Sequence, residues 1–145
     1  MVGNQIRANK IGKWNMDNNK DYSKYTVLIV DDIPINIILL KTMLARTNVR
    51  ILTAINGQEA LDTVRDLRPH VVLLDIQIPI MDGWEVLKEI KADPELKETA
   101  VIIVSAYTSS EDIEQSMKLG ASGFIKKPVI MDLLLSSVTA ELDKI

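Results

Sequence analysis

The chain of 145 residues contains no cysteine, one histidine and one phenylalanine. The absence of cysteine excludes disulfide bonds, thiolate nucleophiles and zinc–thiolate sites. With His70 as its only histidine, the sequence does not supply the residues that a histidine-rich metal site or serine–histidine hydrolysis needs. Several common classes of catalytic and metal centre are therefore excluded by composition.

Long apolar runs and an excess of positive charge are absent as well. No run approaches the ~20 apolar residues of a membrane span, and residues 1–24 lack the apolar region of a secretory signal. The net charge of −3 does not indicate a nucleic-acid or anionic-membrane surface. With 47% apolar residues, the composition predicts one cytoplasmic domain that binds neither nucleic acid nor membrane.

Residues 1–24 differ from the rest of the chain in charge and pattern. They carry five basic residues against two acidic ones, and their apolar residues form no periodic stripe. The pattern predicts an N-terminal tail or linker over residues 1–24 and a single domain over residues 25–145. Trp14 would be an anchor either into a partner or into the domain's own surface, and the sequence favours neither.

From residue 25 onward, five short apolar runs alternate with helical segments. The runs are residues 25–30, 49–54, 71–74, 100–104 and 123–125. Apolar stripes predict helices over residues 34–45, 58–67, 83–92 and 131–145, and another between Ser109 and Gly120. Strands that alternate with helices at this spacing predict right-handed βαβ units and an open α/β sheet with helices on both faces.

Polar side chains follow four of these strands. Asp31 and Asp32 follow the first strand, Asp75 the third, Ser105 the fourth and Lys127 the fifth. Ligands of open α/β sheets bind beyond the carboxyl ends of the strands. We therefore expect three carboxylates, one hydroxyl and one ammonium group to converge at one end of the sheet.

This set of groups has the parts for holding a phosphoryl group. Crowded carboxylates raise one another's pKa unless a cation offsets them. Lys127 offsets part of that charge, and Mg²⁺, which prefers carboxylates, water and phosphate oxygens, offsets the rest. An aspartate in such a site is able to act as a nucleophile and form an acyl phosphate.

Five segments resemble the receiver domains of two-component response regulators, in that family's order and spacing, from residue 25 to about residue 145. They are VLIVDDIPIN (27–36), NGQEAL (56–61), VVLLDIQIPIMDGWEVL (71–87), VIIVSA (101–106) and GASGFIKKP (120–128). The resemblance implies a flavodoxin-like (βα)5 open sandwich with a five-stranded parallel sheet in the order 2-1-3-4-5. The DDIPIN run is most similar to receivers attached to hybrid histidine kinases.

The resemblance also implies catalytic and metal-binding roles for individual residues. Asp75 matches the phosphorylated aspartate, and Ser105 and Lys127 match the hydroxyl and the lysine that act with it. Asp31 and Asp32 match the acidic pair that binds Mg²⁺ together with Asp75.

Further roles follow from the same resemblance. The backbone carbonyl of Gln77 matches a fourth Mg²⁺ ligand, and Phe124 matches the aromatic residue that switches together with the hydroxyl of Ser105. The side chains of Gln77 and Tyr107 match the positions that shield the phosphoryl group from water. The peptide bond between Lys127 and Pro128 matches one that is usually cis in the family.

The implied function is that of a phosphoacceptor rather than an enzyme. A sensor or hybrid histidine kinase, or a histidine phosphotransfer protein, would donate the phosphoryl group to Asp75. The domain would catalyse this Mg²⁺-dependent transfer itself, lose the group slowly and signal by changing conformation. The output surface would be formed by the fourth helix, the fifth strand and the fifth helix. A homodimer that forms through this surface is one way in which the domain would signal.

Three other classes of protein fit less well. An aspartyl phosphatase would need a second carboxylate two residues after its nucleophile, where this chain has Gln77. A flavin-binding module would need a phosphate loop rich in Ser, Thr and Gly, whereas DDIPIN is acidic. A degenerate receiver that acts only as an adaptor is disfavoured because all the site residues are present.

Other polar residues suit simpler, structural roles. Asp32 would also suit a helix N-terminus, although that does not explain a second carboxylate at the same strand end. Asp82 and Gly83 are typical of a turn and helix start, and Lys126 is expected to be solvated. His70 precedes the third strand, at the opposite end of the sheet from the aspartates, and is predicted to be a surface loop residue.

Overall fold

The computed structural model describes residues 20–106 and 109–145. Within these residues, five parallel strands form a sheet in the order β2-β1-β3-β4-β5, which confirms the order implied by the resemblance. The strands are β1 (Thr26–Val30), β2 (Arg50–Ala54), β3 (Val71–Leu74), β4 (Ala100–Ser105) and β5 (Gly123–Lys126). Their bounds lie within one residue of the predicted ones at each end.

The connections between the strands are helical, and a further helix follows β5. The helices are α1 (Pro34–Leu44), which a short 3-10 turn (Ala45–Thr47) extends, α2 (Gly57–Leu67), α3 (Gly83–Ala92), α4 (Ser110–Lys118) and α5 (Met131–Leu142). Helix α5 ends before the predicted residue 145, because the N–H groups of Lys144 and Ile145 bond to carbonyls three residues back, as in a tightened last turn. In the described part of the chain, no helix has the length and apolar character that a membrane span requires.

Side chains placed just before three of the helices cap their first turns. Asn56 accepts a hydrogen bond from the Glu59 N–H at 2.7 Å at the start of α2. Ser109 accepts one from the Asp112 N–H at 3.0 Å at the start of α4, as its spacing predicts. Each cap satisfies a backbone donor that the helix itself leaves unpaired.

The central strands β1, β3 and β4 are buried on both faces because helices cover both sides of the sheet. Leu28 and Leu74 face one side and pack with residues of α2 and α3, such as Leu61 and Leu87. Alternate strand residues face the other side and pack with α1 and α5. This arrangement explains why these three strands are apolar almost throughout, whereas the edge strand β2 also carries the exposed residues Arg50 and Thr53.

The packed part of the chain begins before the predicted domain boundary at residue 25. Tyr22 lies in the predicted tail, yet its side chain is fully buried among residues of α1 and α5. Its N–H donates to the Thr47 carbonyl at 3.2 Å, and its hydroxyl bonds to the Asp143 carboxylate at 3.0 Å. Tyr22 is therefore a core residue. The division of the chain into tail and domain stays a prediction, because residues 1–19 lie outside the described ranges.

Candidate functional site

Backbone pairing that continues past the strands positions the predicted polar side chains. The N–H of Asp31 donates to the Ala54 carbonyl, and the N–H of Asp75 donates to the Val30 carbonyl, both at 3.1 Å. The N–H of Lys127 donates to the carbonyl of Ser105 at 2.9 Å. Because these bonds tie each residue to the neighbouring strand, the side chains converge at the carboxyl end of the sheet, as predicted.

Lys127 bridges two of the carboxylates. Its Nζ lies 2.8 Å from Asp31 Oδ2 and 2.8 Å from Asp75 Oδ2. The side chains of Asp31 and Asp75 are 2% and 10% exposed, and that of Lys127 is 19% exposed. Hydrogen bonds between charged partners in such a poorly hydrated place are stronger than those between neutral groups.

The second oxygen of each bridged carboxylate is held by the backbone. Asp31 Oδ1 accepts a hydrogen bond from the Ile33 N–H at 2.9 Å, and Asp75 Oδ1 accepts one from the Gln77 N–H at 3.0 Å. In both cases the side chain closes a turn over the two residues that follow it, as Asp commonly does. The two carboxylates are thereby fixed in orientation as well as in place.

Burial and charge act in opposite directions on the two partners of this bridge. Burial raises the pKa of Asp75 above its ordinary value, and the hydrogen bonds from Lys127 and the Gln77 N–H offset this only in part. Burial acts to lower the pKa of Lys127, but its hydrogen bonds to Asp31 and Asp75 outweigh that and leave the pKa raised. Lys127 is therefore a cation at neutral pH, held in place by the carboxylates that it bridges.

A third carboxylate completes a candidate cation site. Oxygens of Asp31, Asp32 and Asp75 all lie within 4.8 Å of one another. Asp32 is exposed, so water has access to this side of the cluster. Three carboxylates with one ammonium group leave excess negative charge, and hard oxygen donors open to water are the surroundings that Mg²⁺ prefers. The residues present fit that ion.

The remaining predicted residues lie around this cluster or outside the described ranges. Ser105 is fully buried at the end of β4, and the Lys127–Pro128 peptide bond is cis, the geometry that the resemblance implies. Phe124 pairs with Ile103 across β4 and β5 and packs, partly buried, against the core on the α2–α3 side. Gln77 is exposed, and Tyr107 lies outside the described residues.

Gly83 holds the loop that follows Asp75 close to the start of α3. Its N–H donates to the Ile76 carbonyl at 2.8 Å, and a Cβ on Gly83 would lie 2.6 Å from the Asp75 carbonyl oxygen. Only glycine permits this approach without displacing the backbone. Asp82 accepts a hydrogen bond from the Glu85 N–H at 3.0 Å, which confirms the predicted turn and helix start.

His70 lies at the opposite end of the sheet, as predicted, but it is not simply an exposed loop residue. Its Nδ1 accepts a hydrogen bond from the Thr26 N–H at 3.0 Å, and its ring lies nearly perpendicular to the Tyr25 ring, with the two ring centroids 5.1 Å apart. The side chain is half-buried because it supplies the acceptor for the first N–H of β1. Local sequence patterns do not reveal the hydrogen bond between Thr26 and His70, since 44 residues separate the two.

Comparison with known proteins identifies the family to which this chain belongs. Residues 27–139 match the response regulator receiver domain family. This chain is a response regulator receiver domain. Proteins of this family are phosphoacceptor modules of two-component signalling, and the family implies a histidine kinase or a histidine phosphotransfer protein as partner.

Individual relatives support the assignment of this receiver domain. It is 33% identical over 117 residues to the polar-differentiation response regulator DivK of Brucella anthropi, covering 81% of this chain and 95% of DivK. It is 38% identical over 123 residues to a probable cyclic di-GMP phosphodiesterase of Vibrio cholerae, covering 85% of this chain but only 28% of that protein. The receiver domain thus matches nearly all of DivK and about a quarter of the longer relative.

A solved structure agrees with the same family. The signal receiver domain of a putative LuxO repressor protein from Vibrio parahaemolyticus superposes with a TM-score of 0.79 at 29% identity. The match covers 83% of this chain and 91% of that one. This receiver domain therefore has the fold of a solved receiver domain over most of its length.

Proposed function

We propose that Asp75 is the phosphoacceptor of this receiver domain. The observation that carries the proposal is the Lys127 ammonium group, 2.8 Å from the carboxylates of both Asp31 and Asp75. A phosphoacceptor needs a cation beside it to stabilise the charge of the transferring group. Of the two bridged carboxylates, Asp75 is the more exposed. It is therefore the carboxylate that a phosphodonor reaches more readily.

In the proposed reaction, an Asp75 carboxylate oxygen attacks the phosphorus of a phosphohistidine in line with the leaving imidazole. A P–O bond forms and the P–N bond breaks. The electron pair stays on the imidazole nitrogen, which takes up a proton from solvent. Lys127 pairs with a phosphoryl oxygen throughout and keeps its proton, while the Ser105 hydroxyl donates a hydrogen bond to another. The domain thereby catalyses its own modification.

Asp31, Asp32 and Asp75, with the backbone carbonyl of Gln77, are the residues that would hold Mg²⁺. When bound, the ion supplies positive charge next to the phosphoryl oxygens. The separation of at most 4.8 Å between the carboxylate oxygens supports this assignment. The turn that Asp75 and the Gln77 N–H close also places the Gln77 backbone beside the acceptor.

Phosphorylation would be read out through Ser105 and Phe124. The phosphoryl group favours the conformation in which the Ser105 hydroxyl and the Phe124 ring move toward the site, and so shifts an existing equilibrium. Phe124 lacks a hydroxyl, so burial alone stabilises its inward position. The output surface is then α4, β5 and α5, where Ile113 and Met117 are 39% and 48% exposed.

The output surface has its own test. Beryllofluoride with Mg²⁺ mimics an acyl phosphate, and we expect it to change amide hydrogen exchange in α4, β5 and α5. Sedimentation of the same sample shows whether the activated domain forms a homodimer. A response confined to the loop after Asp75 would contradict the proposed switch.

The acyl phosphate would be lost slowly because two side chains restrict the approach of water. Gln77 and Tyr107 occupy the positions that flank this approach in the family, and a displacement of about 1 Å at such a place changes a rate by on the order of a hundredfold. We expect Tyr107→Ala to shorten the lifetime of the phosphoryl group without changing Mg²⁺ affinity. An unchanged or longer lifetime would contradict the role of Tyr107.

The acceptor itself is tested with a small acyl-phosphate donor and Mg²⁺, so that no partner protein is needed. Intact mass measurement should show one alkali-labile phosphoryl group on the parent chain and none on Asp75→Asn. Asp66→Asn is the matched control, because Asp66 is an exposed aspartate on α2, remote from the cluster. Labelling of Asp75→Asn to the same extent as the control would overturn the proposal.

A further inference from the structure

The loop that leads from β3 to α3 rests on the first turn of α2. After Asp75 this loop includes Gln77, whose backbone carbonyl is the fourth proposed Mg²⁺ ligand. The N–H of Gly57, the first residue of α2, donates a hydrogen bond to the Pro79 carbonyl in the loop at 3.3 Å. Gly57 thus contacts the loop although it is neither a proposed metal ligand nor a neighbour of the phosphoacceptor in the sequence.

The start of α2 is fixed so that the Gly57 N–H faces the loop. The first N–H groups of a helix have no partner within the helix. Asn56 accepts a hydrogen bond from the Glu59 N–H at 2.7 Å, and Glu59 Oε1 accepts one from the Ile55 N–H at 3.2 Å. This reciprocal arrangement is similar to a capping box and holds the first turn in place. The Gly57 N–H bonds outside the helix, to Pro79.

Only glycine leaves room for the loop at this position of α2. A Cβ on Gly57 would overlap the Met81 carbonyl oxygen and would lie 2.6 Å from the Met81 carbonyl carbon. Carbon atoms that are not bonded make favourable contacts at about 3.5–4.0 Å. The overlapped atoms belong to the backbone, so a change of side-chain rotamer does not relieve the overlap. Either the loop or the start of α2 would have to move.

The same contact holds a strained turn of the loop. Ile80 has φ +72°, and the Met81 N–H bonds to the Pro79 carbonyl at 2.8 Å across it. The Pro79 carbonyl therefore accepts one hydrogen bond within the turn and another from Gly57 on α2. Backbone strain of this kind persists only where the surrounding structure holds it in place. Because the Ile80 side chain is 80% exposed, the contact with α2 is what restrains the turn.

A displacement at this contact would reach Gln77 because the intervening loop is packed and bonded. Only Ile78 separates Gln77 from Pro79, and its side chain is buried in the core on the α2–α3 side. The Ile78 N–H donates to the Ile76 carbonyl at 3.1 Å, and the Gln77 N–H donates to Asp75 Oδ1 at 3.0 Å. The loop therefore has little freedom to absorb a shift at Pro79 before the shift reaches Gln77.

We propose that Gly57 is a positioning residue for the Mg²⁺ site. By allowing the loop to lie against α2, it sets where the Gln77 carbonyl lies relative to the carboxylates. Gly57 acts through the loop and touches neither the ion nor the phosphoryl group. The inference rests on the proposed function, which assigns the Gln77 carbonyl as a ligand. Replacing a group that orients metal ligands typically lowers metal affinity by about 10- to 100-fold.

Gly57→Ala tests this role with two measurements on the full chain. A Mg²⁺ titration followed by backbone amide resonances should show binding weakened roughly tenfold or more relative to the parent. In EDTA, without the ion, the Gln77 amide should exchange its hydrogen faster, because displacement of the loop weakens its bond to Asp75 Oδ1. An unchanged Mg²⁺ affinity would overturn the proposal, and so would an unchanged rate of exchange at Gln77.

A matched control separates positioning from a general loss of stability. Val64 is fully buried and lies about two turns farther along the same helix. Val64→Ala should lower the midpoint of urea unfolding, yet leave the Mg²⁺ affinity and the Gln77 amide as in the parent. Equal losses of Mg²⁺ affinity in Val64→Ala and Gly57→Ala would mean that Gly57 acts only through stability, against the proposal.

Asn56→Ala provides a second test that keeps the glycine and decides the case in which Gly57→Ala does not fold. It removes the acceptor that caps α2, so the turn that carries the Gly57 N–H is held less firmly. Mg²⁺ affinity and protection of the Gln77 amide should both fall, though by less than in Gly57→Ala. Parent values for both would contradict the proposal. No phosphodonor is used in these measurements, so their failure is distinct from a failure of Asp75 as acceptor.

Discussion

At the amino ends of the strands, polar side chains bind backbone groups. His70 Nδ1 accepts a hydrogen bond from the Thr26 N–H at 3.0 Å, and Lys91 Nζ donates to the Lys97 and Thr99 carbonyls at 2.9 and 2.6 Å. At the carboxyl ends, Asp31 and Asp75 also accept hydrogen bonds from backbone N–H groups, but together with Asp32 they gather like charges within 4.8 Å of one another.

The two ends of the sheet therefore differ in how their charges are arranged. Polar groups at the amino end satisfy backbone donors and acceptors that would otherwise be unpaired, which stabilises the fold. Those at the carboxyl end crowd charges of the same sign, and burial raises the pKa of Asp75. Proteins commonly concentrate such locally unfavourable arrangements at functional sites. Changes at the two ends should therefore have different consequences.

The largest effect on stability is expected when the buried carboxylates at the carboxyl end of the sheet lose the ammonium group of Lys127. Lys127→Met leaves Asp31 and Asp75 buried without it, which should lower the free energy of unfolding by about 3 kcal/mol in urea titrations with EDTA. The deficit should shrink as the pH falls through the raised pKa of Asp75, because protonation removes the uncompensated charge. Lys126→Met, an exposed neighbour, should change stability by less than about 0.5 kcal/mol. Equal losses in the two variants would contradict a special role of Lys127.

An amino-end change should lower stability without affecting phosphorylation. His70→Leu removes the acceptor for the Thr26 N–H, and an unpaired donor of this kind lowers the free energy of unfolding by about 1–3 kcal/mol. His70→Asn retains an acceptor near the same position and should lose less. Labelling by a small acyl-phosphate donor should be complete in both variants. Loss of labelling in a folded variant would contradict the expectation that changes at the amino end of the sheet leave phosphorylation unaffected.

The loop after Asp75 contains a residue with a strained backbone, and its replacement by glycine should stabilise the domain. Ile80 has φ +72° and is 80% exposed, and the Met81 N–H bonds to the Pro79 carbonyl at 2.8 Å across it. This is a γ-turn with a β-branched residue in the left-handed region, which costs about 1–3 kcal/mol.

We therefore expect Ile80→Gly to raise the free energy of unfolding by about 1 kcal/mol, after allowance for the flexibility of glycine in the unfolded chain. Ile130→Gly is the control, because Ile130 is 66% exposed but has φ −92°. That change should bring no gain. A lower stability of Ile80→Gly in urea titrations would show that the loop carries no strain at this residue.

The smallest effect on stability concerns the exposed carboxylate of the cluster. Without Mg²⁺, Asp32→Asn should change the free energy of unfolding by less than about 0.5 kcal/mol, because the side chain is exposed. With Mg²⁺, the parent should gain thermal stability in proportion to its affinity for the ion, and the variant should gain much less. Equal Mg²⁺-induced shifts in melting temperature would argue against Asp32 as a ligand.

The location of the carboxyl-end cluster was predictable from the sequence. Asp31, Asp75 and Lys127 each follow an apolar run that is recognisable as a strand, and the ends of parallel strands meet at one edge of the sheet. The convergence of these groups follows from that order, whereas the contacts of Lys127 with both Asp31 and Asp75 depend on side-chain positions that only the structure gives.

Features that depend on contacts distant in sequence were not predictable in this way. Tyr22 bonds to Asp143 across 121 residues, and its burial contradicts the polar, aperiodic pattern of the residues around it. The left-handed backbone of Ile80 has no sequence signature either, because β-branched residues disfavour it. Both features depend on the packing of the whole domain rather than on local preference.

The position of the phosphoryl group on the modified protein tests the central claim most directly. Borohydride reduces an aspartyl phosphate to homoserine, which peptide mapping by mass spectrometry locates in the sequence. After treatment with a small acyl-phosphate donor and Mg²⁺, we predict homoserine at position 75. Homoserine at position 31 or 32, or at any other aspartate in place of position 75, would contradict the assignment of Asp75 as the phosphoacceptor.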